Sequence, residues 1–208
     1  MQSTSRLAIL VITAMISNLA IADRLVLSPT AESVAPNSYL IESFISTRHH
    51  PEDTTWFRYA ALGGPEIEIE QHTSFLGSTR RYAFNLNHTL LSDLGQNPSV
   101  SVGVRDLFGT SSERMGLYLA ASRVIPLSKH QRGLLTEMKW NFGVGTGRLD
   151  GAFGGLQLRL KHDIELNIEL FKEKGNFSFQ VPIGRRFNAK AVSLNGELFY
   201  GIGIHWSE

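Results

Sequence analysis

Apolar and polar residues alternate with a period of two along most of this 208-residue chain. In the segment 163–171, aliphatic and polar residues alternate: Ile164, Leu166, Ile168 and Leu170 share one parity, and Glu165, Asn167 and Glu169 share the other. Successive side chains of a β-strand point to opposite faces, whereas a helix would mix the two sets. The pattern therefore predicts a strand with one apolar face and one polar face.

The alternation recurs at regular intervals and predicts about twelve strands. The candidates lie near residues 38–46, 54–62, 65–75, 80–90, 98–106, 114–125, 134–145, 154–161, 163–172, 175–183, 189–194 and 197–206. Their connections are short, and Asn195-Gly196 is a strong signal for a two-residue hairpin. Because short links join antiparallel neighbours, we expect an all-β, antiparallel up-and-down barrel of about 10–12 strands over residues 38–208.

The first 22 residues have the features of a secretory signal peptide. Arg6 supplies a positive start, residues 7–16 form an apolar run, and residues 20–22 (Ala-Ile-Ala) form a small-x-small cleavage site. A membrane anchor is the alternative, but the run is shorter than the roughly 20 residues that a spanning helix needs. We expect export, cleavage after residue 22, and a periplasmic N-terminal segment over residues 23–37.

The charge balance argues against a nucleic-acid-binding protein, and the cysteine content excludes a protein stabilised by disulfides. The chain has 20 basic and 19 acidic residues, and cleavage of the signal peptide removes Arg6 alone, so the mature chain is formally neutral. This balance provides no basic face for nucleic acid. The chain has no cysteine, so an exported form must be stabilised by packing and hydrogen bonds without disulfides. A closed barrel meets that demand.

Alternation alone does not say which face of the barrel meets water. A soluble barrel points its apolar residues inward, and a membrane barrel points them outward. The signal peptide and strands of about ten residues, the length that crosses a bilayer at a tilt, favour a transmembrane barrel in the bacterial outer membrane. The soluble alternative is an exported lipocalin-like barrel that binds an apolar ligand.

The transmembrane interpretation assigns each face a set of residues. The lipid-facing set is Phe84, Val102, Trp140, Leu158, Leu166, Phe179, Tyr200, Ile202, Ile204 and Trp206. The lumen-lining set carries both signs of charge: Glu66, Glu68, Glu70, Arg105, Glu137, Lys139, Arg159, Glu165 and Glu169. Such charges pair across a narrow lumen, or stay hydrated in a wide pore and tune its selectivity. Four aromatic residues suit an interfacial girdle: Tyr82, Trp140, Tyr200 and Trp206.

Two glycine-rich stretches resemble a family of small bacterial barrels. They are residues 102–110 (VGVRDLFGT), followed by 119–123 (LAASR), and residues 143–151 (GVGTGRLDG), followed by 153–155 (FGG). Over roughly residues 98–206 the chain is similar to the exopolysaccharide-associated outer-membrane barrels of the YjbH type. The resemblance implies a non-enzymatic barrel that assists export or assembly of surface polysaccharide. Polysaccharide or periplasmic envelope proteins would then be its partners, besides outer-membrane lipid.

Two further features have simple structural explanations. The G-x-G-x-G spacing of residues 143–147 is not the dinucleotide fingerprint, and no helix pattern follows it, so it indicates a strand end and a turn. His49-His50 with Glu52 and Asp53 could bind a metal, but adjacent histidines in one short link rarely complete a four-ligand site. We expect no metal and no cofactor.

A third function to weigh is an outer-membrane barrel hydrolase built around His88. Such an enzyme needs a nucleophile and an acidic residue beside the histidine. The sequence offers no such set around His88, so we expect no catalytic residue. The sequence thus favours a non-enzymatic envelope barrel over a soluble binding protein and over an enzyme.

Overall fold

The computed structural model describes residues 28–31, 37–47, 52–60, 64–74, 80–92, 97–110, 114–127 and 133–207. The predicted signal peptide, residues 1–22, lies outside these residues, as do 23–27 and 32–36 of the predicted N-terminal segment.

Twelve antiparallel strands form the fold, and each pairs with its neighbours in the sequence. They are β1 (Ser38–Ser46), β2 (Glu52–Ala60), β3 (Glu66–Ser74), β4 (Arg80–Leu91), β5 (Ser99–Arg105), β6 (Gly116–Pro126), β7 (Leu135–Gly145), β8 (Gly151–Leu160), β9 (Glu165–Phe171), β10 (Lys174–Ile183), β11 (Phe187–Leu194) and β12 (Glu197–Ser207). β1 also pairs with β12, from Ser38 opposite Ser207 to Ser46 opposite Phe199. This pairing closes the sheet, so the predicted antiparallel up-and-down barrel is confirmed.

The described helices are two short 3₁₀ turns, Gly147–Leu149 and Lys161–Asp163. Within the described parts of the chain, no helix has the length and apolar character needed to cross a bilayer.

Two-residue turns set the register of the last four strands. Lys172-Glu173 joins β9 to β10, and Asn195-Gly196 joins β11 to β12. All four residues have positive φ angles, of 49°, 63°, 52° and 82° in chain order, which is the backbone of a type I′ hairpin turn. The predicted Asn-Gly hairpin is therefore confirmed, and Lys172-Glu173 adopts a similar left-handed backbone without a glycine.

The even number of strands brings the start of β1 and the end of β12 to one rim of the barrel, which we call the terminal rim. The opposite rim, which we call the hairpin rim, carries the turns at 172–173 and 195–196 together with the longer link 106–115.

Polar and apolar residues are distributed in the opposite sense to a water-soluble protein. Among the described residues, buried polar and charged side chains outnumber buried hydrophobic ones, and many large hydrophobic side chains are exposed. Leu170 is 66% exposed and Phe142 59%, whereas Glu169 and Asn141, which precede them in the chain, are 0% exposed. Most of the polar side chains on the strands thus face the barrel interior.

Three inward-facing aromatic residues each lie over a glycine directly opposite on the neighbouring strand: Tyr118 over Gly103, Phe153 over Gly143 and Phe44 over Gly201. A Cβ added at Gly143 would lie 2.2 Å from the Phe153 ring and 2.7 Å from the carbonyl oxygen of Leu119. Glycine therefore provides the space that each ring occupies. This packing accounts for the first glycine of the 143–147 stretch.

We predict that Gly143→Ala lowers the free energy of unfolding by about 1–3 kcal/mol, because the Phe153 ring and the Leu119 carbonyl must both move to admit the methyl group. The control is Gly175→Ala in β10, where an added Cβ meets nothing within 4 Å. Urea unfolding in lipid vesicles measures both variants. An equal effect of the two substitutions would contradict the packing argument.

Candidate functional site in the barrel interior

The nine charged residues assigned to the lumen by sequence all face the barrel interior, and seven of them are buried: Glu66, Glu68, Glu70, Arg105, Lys139, Glu165 and Glu169. Glu137 and Arg159 are partly exposed near the terminal rim. The ten residues assigned to lipid lie on the outer face, on strand positions of the opposite parity: Phe84, Val102, Trp140, Leu158, Leu166, Phe179, Tyr200, Ile202, Ile204 and Trp206.

Glu68 lies at the centre of a series of ion pairs across the inner wall. Its carboxylate forms an ion pair with Arg58 Nε at 3.0 Å and accepts a hydrogen bond from Arg105 Nη1 at 2.6 Å. Arg58 also donates to Glu42 at 3.1 Å, and Glu42 pairs with Lys190 Nζ at 3.4 Å. The five residues form what we call the charge ladder, which runs from β11 past the seam between β12 and β1 to β5.

Two strands that the charge ladder crosses contribute small or amide side chains instead of charges. On β12, Gly201 lies opposite Lys190 and Gly203 lies opposite Glu42. Strands separated by one neighbour are about 10 Å apart, and the long Lys190 side chain crosses this distance to reach Glu42. The space beside the two glycines holds the Phe44 ring and the Asn188 amide. On β4, Asn85 donates to the Glu68 carboxylate.

All five members of the charge ladder are buried, with at most 5% of each residue exposed. Removing such charges from water costs several kcal/mol for each ion. The cost is offset only when each charge has partners with good geometry, which the ladder provides. The five charges of the ladder are therefore paired with one another within the inner wall.

A second group of paired side chains lies on β7, β8 and β9. Glu165 accepts from Gln157 Nε2 at 2.9 Å and from Arg159 Nη2 at 3.0 Å. Arg159 also pairs with Glu137 at 3.4 Å. The group thus connects three adjacent strands near the terminal rim through Glu137, Gln157, Arg159 and Glu165.

Arg148 spans the interior near the hairpin rim. It lies in the 3₁₀ turn between β7 and β8, and its guanidinium donates two hydrogen bonds of 3.1 Å to the carboxylate of Glu70 on β3. A bidentate arginine–carboxylate pair has a fixed geometry, so this contact holds the β7–β8 turn over the opening.

An apolar cluster occupies the interior beside the charge ladder, towards the hairpin rim. Phe44 and Trp56 pack with ring centroids 4.7 Å apart, together with Val192, and Leu194 and Phe199 pack against them. The inner face of β1 and β2 is thus partly apolar, a feature that the alternation pattern did not predict.

Residues 28–31 also lie inside the barrel. They belong to the predicted N-terminal segment 23–37, and Ser28 and Ala31 are fully buried among inward-facing side chains. Their backbone groups bind side chains of the wall, and Ala31 packs against Tyr118, Ala120 and Phe153. A segment without strand periodicity gives no sequence signal for such a location.

The sequence offered two other candidates, His88 and the His49-His50 pair. His88 lies on the outer face of β4, is exposed, and is opposite Val102. His49 and His50 lie outside the described residues. Within the described residues, no group of three histidine, cysteine or acidic side chains is arranged to hold a metal ion.

Sequence reasoning missed three members of the charge ladder and one cross-lumen partner. Glu42, Arg58 and Lys190 lie on strands whose inner faces mix charged and apolar residues, and Arg148 lies in a turn. Parity within β1 offered one signal, because Glu42 shares its parity with Ser38 and Ser46 rather than with the outward-facing Tyr39.

We predict that Glu68→Met lowers the free energy of unfolding by about 3–5 kcal/mol, because Arg58 and Arg105 stay buried with one carboxylate fewer. Adding Arg105→Met should recover part of this loss, since the double variant removes one unpaired charge. Urea unfolding of the single and double variants measures the coupling, with Glu173→Gln in the exposed β9–β10 turn as a control. Strictly additive effects would contradict the ladder.

No protein-family model matches the chain, and no curated protein matches it. A solved structure described as "KdgM porin" has a similar fold, with a TM-score of 0.54 over 81% of this chain and 99% of that chain. The two sequences are 11% identical, so the similarity concerns the fold. The resemblance to YjbH-type barrels stays a prediction.

Proposed function

We propose that this chain is a non-enzymatic β-barrel of the bacterial outer membrane. Residues 1–22 would direct its export as a signal peptide and would then be cleaved. The observation that carries the proposal is the distribution of side chains, with exposed aliphatic and aromatic residues outside and paired charges inside. A soluble monomer rarely exposes a large contiguous apolar surface. Lipid contact makes the same surface favourable, and closure leaves no strand edge unpaired within the hydrocarbon.

Aromatic residues on the outer face support a membrane boundary near the terminal rim. Tyr39 stacks on Tyr59 with ring centroids 4.8 Å apart and on Trp206 at 5.1 Å. Tyrosine and tryptophan favour the level of the lipid headgroups. Tyr82 and Tyr200 lie nearer the hairpin rim, which supports a second girdle there.

The interior argues against the soluble alternative. A lipocalin-like barrel would hold its ligand in an apolar cavity, but Glu66, Glu68, Glu165 and Glu169 all point inward. The hydrolase alternative loses support because His88 is on the outer face, opposite the aliphatic Val102. The similar fold of a protein described as a porin supports a non-enzymatic barrel.

For the finer function, we propose that the barrel assists export or assembly of exopolysaccharide at the outer membrane. The resemblance of residues 98–206 to YjbH-type barrels supports this role, and that region corresponds to β5 through β12. A polar, hydrogen-bonding interior is compatible with a hydroxyl-rich polymer. Polysaccharide or periplasmic envelope proteins are the proposed partners, and the neutral mature chain gives no reason to include nucleic acid.

We predict that Phe179→Arg, on the outer face at the middle of β10, lowers stability by about 2–4 kcal/mol, because a charge at mid-depth would contact lipid. The same substitution in water would have little effect, since Phe179 is 42% exposed. Unfolding in vesicles and heat-shifted gel mobility measure the change, with Glu173→Arg in the β9–β10 turn as the control. A mature protein that fractionates entirely as soluble periplasmic protein would overturn the membrane assignment.

For the polysaccharide role, we predict that deleting the gene reduces surface polysaccharide and that the intact gene restores it. Carbohydrate assays on washed cells and on the medium would distinguish impaired export from impaired synthesis. Unchanged polysaccharide, together with normal membrane fractionation of the protein, would refute this role and leave the membrane assignment standing.

A further inference from the structure

Residues 28–31 lie in the interior, where side chains of five different strands hold them. The Ser28 N–H donates to Glu169 on β9 at 2.6 Å, and Asn141 on β7 donates to the Pro29 carbonyl at 2.9 Å. The remaining contacts involve β4, β5 and β6: Thr89 to the Ala31 carbonyl, Ser101 to the Thr30 carbonyl, and the Ala31 N–H to Ser122 Oγ at 2.9 Å.

The side chains that hold the segment are themselves connected. Ser122 Oγ donates to Asn141 Oδ1 at 2.5 Å, and Glu169 accepts from Asn176 at 2.9 Å. Ala31 adds an apolar contact with the buried cluster that includes Phe153. The segment therefore occupies a built site, in which both the polar backbone and the Ala31 methyl group have partners.

The barrel wall is complete without this segment. All twelve strand pairings run from strand to strand around the closed sheet, and none of them includes residues 28–31. The segment contacts β4 through β9, whereas the charge ladder runs from β11 to β5, so the two fill largely different sides of the interior. Withdrawal of the segment would expose serine and asparagine groups that water readily hydrates, and the buried ion pairs would stay intact.

We propose that residues 28–31 are a removable plug, and that the barrel conducts only when this segment leaves its site beside β4–β9. This inference rests on the proposed membrane function. The charge ladder keeps one side of the interior filled, and departure of the plug opens the other side. The path that opens is lined by Ser101, Ser122, Asn141 and Glu169.

The absence of cysteine from the chain allows a direct test. In the double variant Ala31→Cys/Ser122→Cys, the two thiols stand on residues in direct contact, because the Ala31 backbone N–H donates to Ser122 Oγ at 2.9 Å. We predict that oxidation forms a disulfide, seen as altered gel mobility, and suppresses ion conductance of the full-length mature protein in planar bilayers. Reduction restores it. The single variant Ala31→Cys under the same oxidant is the control.

A second variant weakens the plug instead of fixing it. Ser122→Ala/Asn141→Ala removes two hydrogen bonds to the segment, and we predict that the ratio of open to closed barrels rises by about tenfold or more. The matched control is Asn167→Ala, which removes a buried inward-facing amide of β9 that donates to Ser178. Heat-shifted mobility selects folded preparations of each variant before conductance is recorded.

Failure of the disulfide to form in folded protein would overturn the plug, as would equal conductance of the oxidised, reduced and weakened variants. Absence of ion conductance in every variant, including Ser122→Ala/Asn141→Ala, would also overturn the plug. Membrane fractionation of the same preparations tests the proposed function separately. A protein that inserts normally, but whose conductance does not change when the disulfide forms, refutes the plug alone.

Discussion

Backbone hydrogen bonding between β1 and β12 is the constraint on which the rest of the structure depends. Without it the sheet would have two open edges, each a row of unpaired N–H and C=O groups. Once the sheet is closed, every strand has one face towards an enclosed interior and one towards the surroundings. The period-two sequence pattern then decides which side chains must find partners inside.

Enclosure explains why the interior contains networks rather than isolated charges. Arg58 and Arg105 share Glu68, and Lys190 reaches Glu42 across the glycines of β12. A buried charge without a partner would destabilise the fold by several kcal/mol. The inward-facing glycines make space for neighbouring side chains in this arrangement, such as the Phe44 ring over Gly201 and the Asn188 amide over Gly203.

Alternation of polar and apolar residues predicted the fold well where the two faces differ sharply. β9 is such a strand, because glutamate and asparagine alternate with aliphatic residues along its length. The same reasoning failed to find the partners on β1, where Leu40 and Phe44 face inward beside Glu42 and blur the contrast. It could not find residues 28–31, because their location depends on hydrogen bonds to five separate strands rather than on any local period.

The ion pair between Lys190 and Glu42 joins strands on either side of β12, the strand that meets the first strand of the barrel. Sliding β1 by one residue against β12 would reverse every side chain of β1 and turn Glu42 outward. Lys190 and Arg58 would then each lose the Glu42 carboxylate when β1 pairs with β12. The pair therefore favours the observed register of β1 against β12 over a register shifted by one residue.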